Sequence, residues 1–162
     1  MLKIAQAAVA ALKERRWTVG TCESLTGGMS CSTLVDVPGA SKAVRGGFVT
    51  YQTDAKTLLA GVDAALIADK GVVSAEVARA MAEGAKIRLG VDVADSATGM
   101  ASPGGPGDPP AGTVLVGVAS AKGVRAIPLA LTGTRREIRE QTVKAALEAI
   151  IEEIGTKENE AP

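Results

Sequence analysis

Apolar residues open the chain at helical spacing, with Leu2, Ala5, Val9 and Leu12 on one face, and the basic cluster from Lys13 to Arg16 suits the negative end of that helix. Residues 17–22 (WTVGTC) read as a strand. Gly27 and Gly28 then start a second helix that runs to about Val35, and Asp36-Val37-Pro38-Gly39 stops it by turn chemistry. Residues 48–51 (FVTY) form the next strand, bordered by Gly46 and Gly47. Thr53 or Asp54 caps a short helix holding Lys56, Leu58 and Leu59, and Gly61 ends it.

Asp63 to Lys70 fits another short helix closed by Gly71, and Ser74 caps a longer one in which Val77, Met81, Gly84, Ala85 and Arg88 share a face. Residues 91–98 read as a strand that enters a long Gly/Pro loop, residues 99–112. Thr113 to Ala119 and Val124 to Leu129 are the last strands, and Lys122-Gly123 between them predicts a hairpin. The final helix carries Val143, Leu147, Ile150, Ile151 and Ile154 on one stripe, with Glu140 four residues before Lys144. Helices alternate with strands early and a hairpin comes late, which predicts an α/β fold, a three-layer α/β/α sandwich with a mixed sheet. Residues 1–155 form one domain in this reading, and 156–162 a frayed polar tail.

A chain of 162 residues can bury about two-thirds of its unfolded surface, so it needs neither disulfide nor metal to fold. Basic and acidic residues balance at 18 each, which gives no basic excess for a nucleic-acid partner. Trp17, Phe48 and Tyr51 are the only aromatics, too few for base-stacking platforms. The N-terminal helix lacks the uninterrupted apolar core of a signal peptide, and no apolar run approaches the ~18 residues of a membrane span. Cys22 and Cys31 fit no zinc spacing and read as buried, reduced thiols, which points to the cytoplasm. The apolar stripe of an alanine-rich domain suits a homodimer.

The chain has no histidine, so no Ser-His or Cys-His machinery can operate. A nucleophilic serine would have to give its proton to a lysine, a tyrosine or a carboxylate. Ser24, inside the run Cys22-Glu23-Ser24-Leu25-Thr26-Gly27-Gly28, lies between a strand and a helix, and Tyr51 with Lys56 follows the next strand. In open α/β sheets ligands gather at the carboxyl ends of strands, where residues 23–28, 51–56 and 98–107 all fall. Amides of Thr26, Gly27 and Gly28 at a helix start could hold an oxyanion or a phosphate, although Ser24 and Thr26 also fit as simple caps. A basic Lys56 would need a desolvated pocket, and otherwise reads as a surface lysine. Arg135, Arg136 and Arg139 crowd the start of the last helix, a poor place for cations unless an anion binds there. The Gly/Pro loop lacks the Gly-Lys-Ser/Thr ending of a P-loop and does not run into a helix as a dinucleotide fingerprint does.

The motifs taken together are Glu23-Ser24-Leu25-Thr26-Gly27-Gly28, Gly47-Phe48-Val49-Thr50-Tyr51 with Lys56, Gly71 to Ser74, Thr98-Gly99 with Pro103 and Gly105, and Gly112-Thr113-Val114. In this order they resemble the C-terminal domain of the competence/damage-inducible protein CinA. That family includes nicotinamide-nucleotide amidohydrolases, which convert nicotinamide mononucleotide to nicotinic acid mononucleotide and ammonia by a metal-free Ser-Lys reaction. The resemblance implies no cofactor and a small nucleotide as partner. It implies Ser24 as nucleophile, Lys56 as base and Tyr51 as an assisting or orienting group. Glu23, Thr26, Gly27, Gly28, Thr98 and Gly99 would contact substrate, with Arg135 or Arg139 on its phosphate. The chain departs from the family at Ala101-Ser102-Pro103, usually Ala-Gly-Pro, and at Thr53-Asp54, usually Asn-Glu. A non-catalytic nucleotide-binding or protein-interaction module of the same fold is the alternative these departures leave open.

Overall fold

The computed structural model describes residues 1–155, so the polar tail expected over 156–162 lies outside the described residues. The elements run α1 (Leu2–Arg15), β1 (Val19–Glu23), α2 (Met29–Val35), a short 3-10 turn (Ala40–Lys42), β2 (Val44–Val49), α3 (Thr53–Ala60), α4 (Ala64–Lys70), α5 (Ala75–Leu89), β3 (Val93–Gly99), β4 (Thr113–Ser120), β5 (Gly123–Ala130) and α6 (Arg135–Gly155). One five-stranded sheet has the order β2-β1-β3-β4-β5. The first three strands are parallel, and β4 and β5 return antiparallel as the expected hairpin.

Strand alternation divides the core between two faces of this sheet. Val19, Val93, Ala97, Val114, Val116 and Val118 pack against Ala5, Val9 and Leu12 of α1, Leu34 of α2, and Val143, Leu147 and Ile150 of α6. On the opposite face Cys22 and Ala94 meet Val77, Met81 and Ala85 of α5, with Ala60 and Ile67 from α3 and α4. The result is the three-layer α/β/α arrangement with a mixed sheet. Small residues let the layers approach closely: a Cβ on Gly84 would stand 1.8 Å from the carbonyl oxygen of Ala60, so only glycine lets α3 seat against α5.

Helix ends follow the expected chemistry in part. Asp63 accepts from the amide of Ala65 and Ser74 from that of Val77, as caps should. At α3 the cap is Gln52, and Thr53 and Asp54 are already helical. At α6 a reciprocal capping box forms, in which Thr134 N donates to Glu137 at 2.7 Å and Glu137 N donates to Thr134 Oγ1 at 3.2 Å. Glu140 pairs with Arg136 rather than with Lys144, which instead meets Glu148 at 3.6 Å. Glu140 has a basic residue one turn away on either side, and the guanidinium takes it.

The largest revision concerns the second helix. Gly27 (φ +61°) and Gly28 (φ +96°) are left-handed and precede α2, so Ser24 to Gly28 is a tight turn rather than a helical one. Both glycines serve the turn, where a side chain would be strained. β2 likewise starts earlier than expected and ends at Val49, which leaves Tyr51 beyond the strand.

Candidate active site

The carboxyl ends of β1, β2 and β3 converge on one edge of the sheet, and each contributes a piece of the site. Ser24 follows β1 directly, and its amide donates to Ala97 O at 2.9 Å, which extends the β1–β3 ladder by one residue and fixes the backbone. Thr50 follows β2 and donates in the same way to Glu23 O at 2.8 Å. α3 then turns back over the sheet and inserts Lys56, the largest fully buried side chain of the domain, at 1 % exposure.

The Lys56 amine has two partners. Its Nζ lies 3.1 Å from Ser24 Oγ and 2.8 Å from Thr50 O. Burial pushes the Lys56 pKa below its ordinary 10.5, with the nearby Cys22 pulling weakly the other way. A neutral amine here donates to the Thr50 carbonyl and turns its lone pair to the Ser24 hydroxyl, the geometry a general base needs. Cys22, two residues upstream, is no rival nucleophile. Its thiol is fully buried and burial drives its pKa up to about 12, although Thr50 and Lys56 pull downward, so almost no thiolate exists near neutral pH.

Ser24 opens into a cavity of about 290 Å³ whose walls include Leu25, Tyr51, Val72, Gly99, Ser102 and Arg135. A wider groove of about 920 Å³ lies on the other side of Tyr51, between α3 and α4. The amides of Leu25, Thr26 and Gly28 donate to no backbone carbonyl among the described residues, while those of Gly27 and Met29 close the turn onto Ser24 and Thr26.

A family model described as the CinA C-terminal domain matches residues 1–154. The chain belongs to this family. It is 48 % identical over 142 residues to a CinA-like protein of Mycolicibacterium gilvum, covering 86 % of this chain and 33 % of that one. It is 42 % identical over 139 residues to a CinA-like protein of Frankia casuarinae, covering 86 % and 32 % respectively. The chain therefore spans about a third of the length of these curated relatives. A crystal structure of the competence/damage inducible protein CihA from Agrobacterium tumefaciens superposes with a TM-score of 0.89 at 34 % identity, covering 93 % of each chain. A CinA superfamily protein from Klebsiella pneumoniae 700603 superposes with a TM-score of 0.92 at 27 % identity, covering 96 % of this chain and 98 % of that one.

Several residues expected at the site of this CinA domain stand elsewhere. Glu23 is 1 % exposed and faces away from the cavity, with its oxygens accepting from the amides of Ser30 (2.7 Å) and Cys31 (3.1 Å) and from Thr21 Oγ1 (3.2 Å). It caps α2 from the strand and so anchors the Ser24 turn from below. Glu23→Gln, which keeps one acceptor oxygen and sets an amide NH₂ against a backbone N–H, should lower stability by about 1 kcal/mol, read as a shift in the denaturation midpoint. Thr26 is fully buried, its hydroxyl meets no partner among the described residues, and it does not line the cavity. Thr98 donates to Val72 O at 2.9 Å and thereby positions a wall of the cavity, whereas Gly99 lines it directly.

The arginines find partners within the protein. Arg139 donates from Nε to Leu25 O (2.8 Å) and from Nη2 to Thr26 O (3.0 Å), which makes it a clamp on the Ser24 turn instead of a free anion ligand. Arg135 reaches Tyr51 Oη (2.8 Å) and Ser102 Oγ (3.0 Å) at the cavity mouth. The Tyr51 hydroxyl, expected to assist or orient the reacting pair, thus serves Arg135, and the partner beside Lys56 is the backbone carbonyl of Thr50. Thr50 is the site residue that sequence reasoning misses, since any residue six before the lysine offers the same carbonyl. Of the family departures, Ser102 lines the cavity, while Thr53 and Asp54 line the neighbouring groove. Among the described residues no helix is long and apolar enough to cross a membrane.

Proposed function

We propose that this domain is a Ser-Lys amidohydrolase that converts nicotinamide mononucleotide to nicotinic acid mononucleotide and ammonia. The observation that carries the reading is the 3.1 Å contact between Ser24 Oγ and a buried Lys56 amine whose burial favours the neutral form. As Oγ attacks the carboxamide carbon, the hydroxyl proton passes to Lys56 Nζ and the carbonyl electron pair moves onto oxygen. The Leu25 amide of the turn, which donates to no backbone carbonyl among the described residues and lines the cavity, stabilises that oxyanion. Lys56 then protonates the departing nitrogen, the C–N bond breaks, ammonia leaves and an ester to Ser24 remains. Water, deprotonated by the same amine, attacks the ester carbon, and cleavage of the C–Oγ bond returns the acid product and free Ser24. Arg135, at the cavity mouth, receives the phosphate.

The test is direct. Purified protein incubated with nicotinamide mononucleotide and a chelator should release ammonia and the acid product in equal amounts. Ligand-induced thermal stabilisation without ammonia on prolonged incubation would replace this reading with the binding-module one. Neither stabilisation nor ammonia would remove nicotinamide mononucleotide as the ligand.

A further inference from the structure

Arg135 is the first residue of α6 and is exposed, yet its side chain is held at both ends of the guanidinium. Nη2 donates to Tyr51 Oη, on the segment after β2, and Nη1 donates to Ser102 Oγ, on the loop after β3. The guanidinium therefore bridges two walls of the Ser24 cavity. Both partners are neutral hydroxyls. Arg125 and Arg136 each lie within ion-pair distance of a carboxylate, but no carboxylate stands at that distance from Arg135 among the described residues. No carboxylate of the described residues compensates its charge, and two of its five N–H donors are committed, which leaves three for a ligand. A planar fork presented in this way suits a phosphate or carboxylate oxygen pair.

We propose that Ser102 is a specificity-determining residue: its hydroxyl locks the Arg135 guanidinium across the cavity mouth, so that the site selects an amide carrying an anionic phosphate group over the same amide without one. Tyr51 alone fixes one nitrogen and lets the fork swing about that bond; the second hydroxyl sets the plane. The inference rests on the amidohydrolase reading for its substrate, though the anion preference can be measured without turnover.

The experiment compares the native protein, Ser102→Ala and Ser102→Thr, with nicotinamide mononucleotide and nicotinamide riboside as a pair that differs only in the phosphate. Ser102→Ala should raise KM for the mononucleotide about three- to tenfold, and shrink its preference over the riboside by the same factor, with the loss in KM rather than in kcat. Ser102→Thr, which keeps the hydroxyl, should restore most of the preference. An unchanged preference in Ser102→Ala would overturn the proposal, and so would equal losses on both substrates, which signal a loosened loop. If the native protein releases no ammonia from either amide, the amidohydrolase reading fails by itself. Calorimetric titration with the same two compounds then decides this inference: mononucleotide binding weakened selectively by Ser102→Ala sustains it, and a selectivity equal to that of the native protein removes it.

Discussion

Replacing Ser24 by alanine or Lys56 by methionine should abolish ammonia release, with turnover falling at least about a thousandfold in each case. The two residues act as one unit through their 3.1 Å contact, so the double variant should be scarcely worse than either single one. Lys56→Met is the more instructive change because methionine is an unbranched apolar side chain of similar shape. It removes a buried amine whose charged form is penalised by desolvation, at the cost of leaving Thr50 O without its 2.8 Å partner. The melting temperature should therefore hold or rise while activity disappears. Turnover within tenfold of the native rate in either variant would sink the mechanism.

The same residue sets the pH behaviour. Activity needs the neutral amine, so kcat/KM should climb with pH along a limb centred below 10.5, the direction in which burial moves Lys56. Stability shares the sign. Between the folded pKa and 10.5 the unfolded chain holds the lysine proton that the folded chain has lost, so unfolding becomes harder as pH rises through that window. Cys22 works the other way from 9.0 to about 12, where the folded thiol keeps its proton and the unfolded one gives it up. Lys56→Met should erase the first slope and leave the second.

Periodicity sufficed for much of this architecture. The α6 stripe of Val143, Leu147 and Ile150 and the α1 spacing of Ala5, Val9 and Leu12 are buried where a 3.6-residue repeat places them. Ser74 and Asp63 cap their helices because a short oxygen-bearing side chain before an apolar run has few better uses. What stayed hidden depends on groups that leave no local trace. The turn before α2 escapes a local reading because its helix is capped by Glu23 from seven residues away, inside a strand, instead of by Ser24 or Thr26. The Lys56 partner is a backbone carbonyl, which every residue carries. Arg139 spends its donors on carbonyls more than a hundred residues distant, a contact only the tertiary fold creates. The juxtaposition of Ser24 and Lys56 across 32 residues was suggested by the missing histidine and by both segments falling at strand carboxyl ends, and family resemblance singled it out from the capping and surface-lysine readings that each residue also allowed.

Replacing Asp95 by valine should stabilise the domain by about 2 kcal/mol near neutral pH, measured by denaturant unfolding. Asp95 sits in the middle of β3 on the sheet face covered by α1, α2 and α6, opposite Thr21 in the β1 ladder, with no exposure at all. Neither of its carboxyl oxygens has a hydrogen-bond partner among the described residues, in contrast to Glu23 two residues further along the same face, whose oxygens each accept from an amide of α2. Burial first, and then the negative charge of Glu23, raise the Asp95 pKa well above the usual 3.8, with its own backbone offsetting a little. The folded chain thus retains a proton that the unfolded chain releases above about pH 4, so Asp95 erodes stability progressively as pH rises from that point to its folded pKa. Valine suits a strand interior, needs no partner, and joins Val93, Val116 and Val118 on that face. The gain from Asp95→Val should accordingly be largest near neutrality and shrink toward pH 3, where the carboxyl is protonated in both states. A pH-independent loss of stability would mean instead that the buried acid is held by a partner, such as a buried water, and that its isolation is the wrong premise.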